Sequence, residues 1–274
     1  MRIDAHQHYW RIGHNGQEWP GPDLPQIHRD FMPKDLDAAR LSAGVTRTVL
    51  VQSQPHDADT DWMLDLADRT PSIGAVVGWV DLPDPAAADR IAVLARHPKL
   101  RGIRPMLQAL AVEWILQPAI EPAIGAMIDR GLVFDALIRP AHLPALTRFA
   151  AAHPRLQIVI DHAAKPDIAQ DEREPWGRDI AMLARLPNVA CKISGLVTEA
   201  GSAWSAGDLR FYVDHLIDCF GPERLVWGSD WPVLLLASDY PGWLRCCERL
   251  FGHLPAPARA AIFGTNARRI YRVG

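Results

Sequence analysis

The segment Asp4-Ala5-His6-Gln7-His8 ends a short run that opens the chain. Residues two apart on a strand face the same way, so a strand here puts Asp4, His6 and His8 on one face. Two adjacent imidazoles bind a metal or jointly donate hydrogen bonds to a substrate oxygen; the plain alternative is a pair of half-exposed strand histidines. Two further runs pass from apolar to ionisable residues, Ile158-Val159-Ile160-Asp161-His162 and Leu225-Val226-Trp227-Gly228-Ser229-Asp230. In a dry mouth near histidines and a water, Asp230 is a carboxylate base; otherwise it caps a helix or makes a turn. Arg104 closes Arg101-Gly102-Ile103-Arg104-Pro105, and its planar fork of donors suits a substrate carbonyl or hydroxyl, with a rim salt bridge as the structural alternative. Lys165 lies three residues past His162, on a loop where it either touches substrate or is solvated surface.

These groups work together only if the strands carrying them converge. Eight β-rich runs alternate with helix-period stretches: Arg2 to His8, Thr46 to Gln52, Ile73 to Val80, Leu100 to Arg104, Leu132 to Ile138, Gln157 to His162, Val189 to Ser194 and Leu225 to Asp230. Several are continuously apolar, as expected of parallel strands covered on both faces. Leu209, Tyr212, Val213, Leu216, Ile217 and Phe220 form the clearest helical stripe, and Gly44 and Gly131 stand where helix C-caps precede strands two and five. The alternation predicts a (β/α)8 TIM barrel, with an open doubly wound sheet as the alternative. Such barrels display their chemistry at the C-terminal strand ends, where the ionisable residues fall.

Tyr9 to Pro33, rich in Trp and Pro without helical period, reads as a long ordered loop after strand one, and Thr198 to Gly207 as a Gly/Ser/Ala-rich loop after strand seven. His28, on the first of these loops, is placed to close over the mouth. No repeat or linker divides the chain, so residues 1–274 read as one barrel domain. The net charge of −3, without charge blocks, argues against a nucleic-acid partner and an acidic tail. No apolar run approaches the length of a membrane span. Four cysteines without a CxxC pair give no disulfide framework, and Cys191 reads as a small buried hydrophobe. A reducing cytoplasm fits this composition, and the oligomeric state leaves no signature.

HxH after strand one, His after strand six and Asp after strand eight resemble the amidohydrolase superfamily, in its amidohydrolase-2 branch. Asp4-Ala5-His6-Gln7-His8-Tyr9-Trp10, Lys192-Ile193-Ser194-Gly195-Leu196 and Gly228-Ser229-Asp230-Trp231-Pro232 are similar to its sugar lactonases, of the L-fuconolactonase and L-rhamnonolactonase kind. The resemblance spans essentially the whole chain. It implies a distorted barrel that hydrolyses an aldonolactone to its open sugar acid. By position it makes Asp230 the base that deprotonates water, and His6, His8 and His162 the groups that polarise the carbonyl or complete a metal site. Trp10 and Trp231, neighbours of His8 and Asp230 in sequence, are expected beside the sugar by position alone.

The sequence departs from the metal-rich pattern of that superfamily. Arg104 stands where binuclear members place a lysine or glutamate, and strand five lacks the usual histidine, which argues against a binuclear centre. His6, His8, His162 and Asp230 could supply four ligands to one zinc. A ring ester asks less of a catalyst than an amide, so hydrogen-bond donors plus a carboxylate base suffice without metal. A zinc-dependent amidohydrolase or decarboxylase, and a non-catalytic sugar-binding protein, are the competing readings. The lactone's stereochemistry is not readable, and a dicarboxylate is disfavoured because Arg104 alone stands out as an anion clamp.

Overall fold

In the computed structural model, which describes residues 1–274, eight strands pair in parallel in the order of the chain. They are β1 (Arg2–Gln7), β2 (Val45–Val51), β3 (Ile73–Gly78), β4 (Leu100–Ile103), β5 (Val133–Ala136), β6 (Ile158–Ile160), β7 (Val189–Ile193) and β8 (Leu225–Trp227). Each falls on one of the eight apolar runs. The seam between β1 and β8 closes at their C-terminal ends: the His8 N–H donates to the Trp231 carbonyl at 2.7 Å and the Asp230 N–H to the His6 carbonyl at 2.8 Å. A sheet joined to itself with helices outside is a (β/α)8 barrel.

Strand alternation builds two cores. Ile3, Ala5, Val49, Val51, Ala75, Val77, Val133, Val159, Ala190 and Val226 pack together inside the barrel, where small and β-branched side chains fit the narrow bore. Ala267, Ile270, Tyr271 and Val273 join this cluster from beyond β8. The opposite strand faces pack on the helices, including the Ala206–Phe220 helix, whose six stripe residues are all buried. Gly44 and Gly131 have φ of +68° and +59°, values that let a helix stop and a strand begin at no steric cost to glycine.

Residues 8–32 contain neither helix nor strand beyond a two-way backbone pairing of Trp10 with Phe31 at 3.0 Å in each direction. The expected loop at Thr198 to Gly207 is shorter than read. A helical turn runs over Leu196–Glu199, and Ser205 caps the next helix, its hydroxyl accepting from the Gly207 N–H at 3.2 Å. β6 and β8 stop sooner than their apolar runs because the chain turns left-handed at His162 and at Asp230.

Gly102 lets β4 and β5 approach inside the barrel: a Cβ there would lie 2.8 Å from the Val133 carbonyl and 3.3 Å from a Val77 methyl. Backbone cannot yield as a side chain can. Gly102→Ala is expected to cost about 1–3 kcal/mol of stability, read as a lower urea midpoint at unchanged slope.

Candidate functional site

Four of the residues singled out from the sequence converge at the C-terminal mouth. His6 Nε2 and His8 Nε2 are 3.1 Å apart, and Asp230 Oδ1 lies 3.6 Å from the first, 3.4 Å from the second and 3.8 Å from His162 Nε2. His8, His162 and Asp230 form part of the wall of a cavity of about 590 Å³, a volume suited to a small metabolite.

Asp4 does not join them. β1 shifts register between Asp4 and Gln7, which breaks the simple alternation and turns the Asp4 carboxylate away from the histidines. One of its oxygens accepts from the Ser229 and His6 N–H groups at 2.8 and 3.2 Å; the other accepts from the Ser229 hydroxyl at 2.6 Å and from Tyr240 at 2.9 Å. Burial pushes its carboxyl up to about 6 despite these donors. Asp4 thus fastens β1 to the turn that presents Asp230, a residue at φ +59°.

His162 is held by an unusual turn. Residues 162–165 all have left-handed φ, at 52, 53, 62 and 52°, and such backbone costs about 1–2 kcal/mol per non-glycine residue. The Trp176 indole N–H donates to the Ala163 carbonyl at 2.8 Å, and His162 Nδ1 meets the Ser194 hydroxyl at 2.9 Å. Gly195 leaves room for the ring, since a Cβ there would stand 2.7 Å from His162 Nδ1. The turn ends with Lys165 on the cavity wall, 3.2 Å from the Glu199 carboxylate.

Beneath the mouth lies a buried ionic network. Lys192 Nζ is 2.5 Å from Asp135 Oδ2, 2.9 Å from Asp161 Oδ1 and 3.1 Å from His6 Nδ1, and the Tyr271 hydroxyl donates to Asp135 at 2.9 Å. Arg104 reaches Asp161 Oδ2 at 3.3 Å and also donates to the Gln52 carbonyl, while its buried Nε–H has no partner. Burial opposes the charge on Lys192, but Asp135 and Asp161 outweigh it and raise its pKa. Burial likewise pushes Asp161 up, and Lys192, His6 and Arg104 more than reverse this, leaving it well below the carboxylate range.

Burial lowers the His6 pKa well below the ordinary histidine value, reinforced by Lys192, and brings His162 down to about 4 against the pull of Asp230 and Asp161. Both rings are neutral at pH 7. For Asp230, burial is outweighed by the His162, His8 and His6 rings around it, which keep the carboxyl ionised below the usual range.

Other expected residues stand elsewhere. Trp10 is buried behind the mouth, its indole N–H donating to the Arg29 carbonyl at 2.9 Å; Trp231 packs on Tyr9 and Phe31, and neither lines the cavity. His28 is tied to the Pro20 carbonyl at 2.8 Å, also off the cavity wall. The aromatic wall comes instead from Trp19, Trp79 and Trp114. Trp79 follows the end of β3, a position that barrel geometry alone marks as facing the mouth. Asp135 and Lys192 carried a comparable signal, as charges inside otherwise apolar strands.

A zinc-sized ion with bonds of about 2.0–2.1 Å sets its tetrahedral ligand atoms about 3.4 Å apart. The spacings among His6, His8 and Asp230 fit that edge length. His162 groups instead with His6 and Asp161. Replacing Asp4 by alanine leaves the buried donors of Ser229 and Tyr240 unpaired. A loss of about 1–3 kcal/mol is expected in urea unfolding, and a smaller loss for Asp4→Asn, which retains one acceptor.

Comparisons with known proteins agree with this architecture. An L-fucono-1,5-lactonase of Burkholderia ambifaria is 52% identical over 281 aligned residues, covering 100% of this chain and 96% of its own. An L-fucono-1,5-lactonase of Burkholderia multivorans is 37% identical, covering 99% and 96%. A solved amidohydrolase from Burkholderia multivorans with bound zinc superposes with a TM-score of 0.94 at 36% identity over 100% of both chains. A family model described as amidohydrolase matches residues 3–273. The chain belongs to the amidohydrolase family.

Proposed function

We propose that this protein hydrolyses a sugar lactone to the corresponding aldonic acid, with Asp230 as general base. The observation that carries the reading is one ionised carboxylate within 4 Å of three imidazoles at the wall of a metabolite-sized cavity. The two L-fucono-1,5-lactonases matched over nearly their full length support a lactone of that kind.

In the proposed reaction Asp230 takes a proton from water as the water oxygen bonds to the lactone carbonyl carbon. N–H groups of His6 and His162, with Arg104 on the cavity wall, hold the oxygen that becomes negative. The carbon–ring oxygen bond then breaks, and the protonated Asp230 returns its proton to the departing ring oxygen. His6, His8 and Asp230 would hold a zinc ion if one is bound, and it would supply Lewis-acid polarisation of the carbonyl.

The cavity favours an uncharged substrate. Its two cations are already matched, Arg104 by Asp161 and Lys165 by Glu199, and Glu18 and Asp81 add negative charge to the wall. A dicarboxylate would meet no free cation, whereas Gln54 and Gln108 offer neutral partners for hydroxyls and Trp19, Trp79 and Trp114 offer faces for a ring.

A pH-indicator assay over a panel of aldonolactones, with and without chelator, tests the reading; no turnover of any of them would refute it. Asp230→Asn is expected to lower kcat by about 10²- to 10⁴-fold, and a near-normal kcat would remove Asp230 as the base. Because Asp230 stays ionised to low pH and His162 stays neutral down to about 4, kcat/KM is expected to hold from neutrality to about pH 5 and to fall below it. An inflection at the ordinary histidine value, about 6.5, that disappears in His162→Asn would contradict those assignments.

A further inference from the structure

Lys192 takes no part in the reaction just described, yet its ammonium is sealed inside the barrel against the back of His6. An ammonium has three protons and no lone pair, so toward a ring nitrogen 3.1 Å away it acts only as a donor. It donates to Asp135 Oδ2 and to His6 Nδ1, and it pairs in charge with Asp161 Oδ1 at 2.9 Å. His6 Nδ1 is therefore bare, and the neutral ring carries its proton on Nε2, the nitrogen facing the mouth. His8 is set the other way. Its Nδ1 lies 2.8 Å from the Val51 carbonyl, which only accepts, so Nδ1 carries the proton and Nε2 is bare. The His6 N–H thus meets a bare nitrogen of His8 at 3.1 Å, and the two assignments agree.

We propose that Lys192 is a positioning residue that locks His6 as an N–H donor to the reaction centre and thereby weakens the affinity of the His6, His8 and Asp230 cluster for a metal cation. To bind a cation His6 Nε2 must release its proton and present its lone pair. The proton then belongs on Nδ1, where it faces the Lys192 ammonium, which has no lone pair to accept it. A metal-ligating histidine ordinarily donates its second N–H to a carboxylate or carbonyl. Asp161 Oδ1 is near enough to serve, at 3.4 Å from His6 Nδ1, but the lysine stands closer. The spacing of the cluster admits zinc while the proton arrangement resists it. A donor N–H is what a developing oxyanion needs. This deepens the lactonase reading and rests on it only for the effect on turnover.

The first test uses the native protein, stripped of metal and labelled with ¹⁵N-histidine. Long-range ¹H–¹⁵N correlation, with His6 assigned by comparison with His6→Gln, is expected to show protonated Nε2 and bare Nδ1. A His6 ring protonated at Nδ1, alone or together with Nε2, would overturn the proposal. The second test removes the ammonium in Lys192→Met and in Lys192→Met/Asp135→Asn, the latter sparing one stranded buried carboxylate. Zinc titrated against a chromophoric chelator is expected to bind either variant about 10- to 100-fold more tightly than the native protein. Metal-free kcat is expected to fall by about 10- to 100-fold at similar KM. Unchanged zinc affinity in a folded variant would defeat the idea, and if neither variant folds the ring protonation of the native protein decides it. Ring protonation and zinc affinity are both read without turnover, so they stand apart from any failure to find a lactone substrate.

Discussion

Burying an ammonium in the bore of a barrel is tolerable only if carboxylates accompany it, and the pairing of Lys192 with Asp135 and Asp161 constrains everything above it. Removing one member of such a group leaves an uncompensated charge, at a cost of about 3–5 kcal/mol. Arg104 shares Asp161 and brings the cluster to two cations and two carboxylates. Asp230 has no cation of its own and meets only imidazoles. A negative charge near neutral donors, above a charge-balanced floor, is what a general base for water requires.

The scaffold holds this arrangement with local backbone that would be unfavourable alone. Four left-handed residues aim His162 and a fifth presents Asp230, each secured from outside the mouth: Trp176 and Ser194 on one side, Asp4 with Ser229 and Tyr240 on the other. Strain concentrated at a site persists when the surroundings over-determine it. The covering loop follows the same logic, since the pairing of Trp10 with Phe31 fixes its base and leaves Trp19 to wall the cavity.

Much of this was legible in the sequence because strand periodicity and chemistry coincide. Apolar runs ending in His, Asp or Arg announced both the barrel and the convergence of His6, His8, His162 and Asp230. Asp4 was misplaced because a register shift carries no residue-level mark, and one such shift moves a side chain to the other face. Trp10 and Trp231 were assigned to the ring by nearness in sequence to His8 and Asp230, whereas tertiary packing turned them inward and brought Trp19, Trp79 and Trp114 forward. The ionic floor went unread since Lys192 and Asp135 sit on strands far apart in sequence, and their pairing exists only once the barrel closes.

Tyr271 completes that floor from below, its phenol bonded to Asp135, and it lies downstream of all eight strands with Ala267, Ile270 and Val273. Chains emerge from the ribosome in order, so the staves are synthesised before the plug that seals them. A nascent chain with all eight strands exposed still lacks the hydroxyl that shares the Asp135 charge and the apolar groups that keep water from the bore. Closure of the bore is thereby tied to residues synthesised after all eight strands.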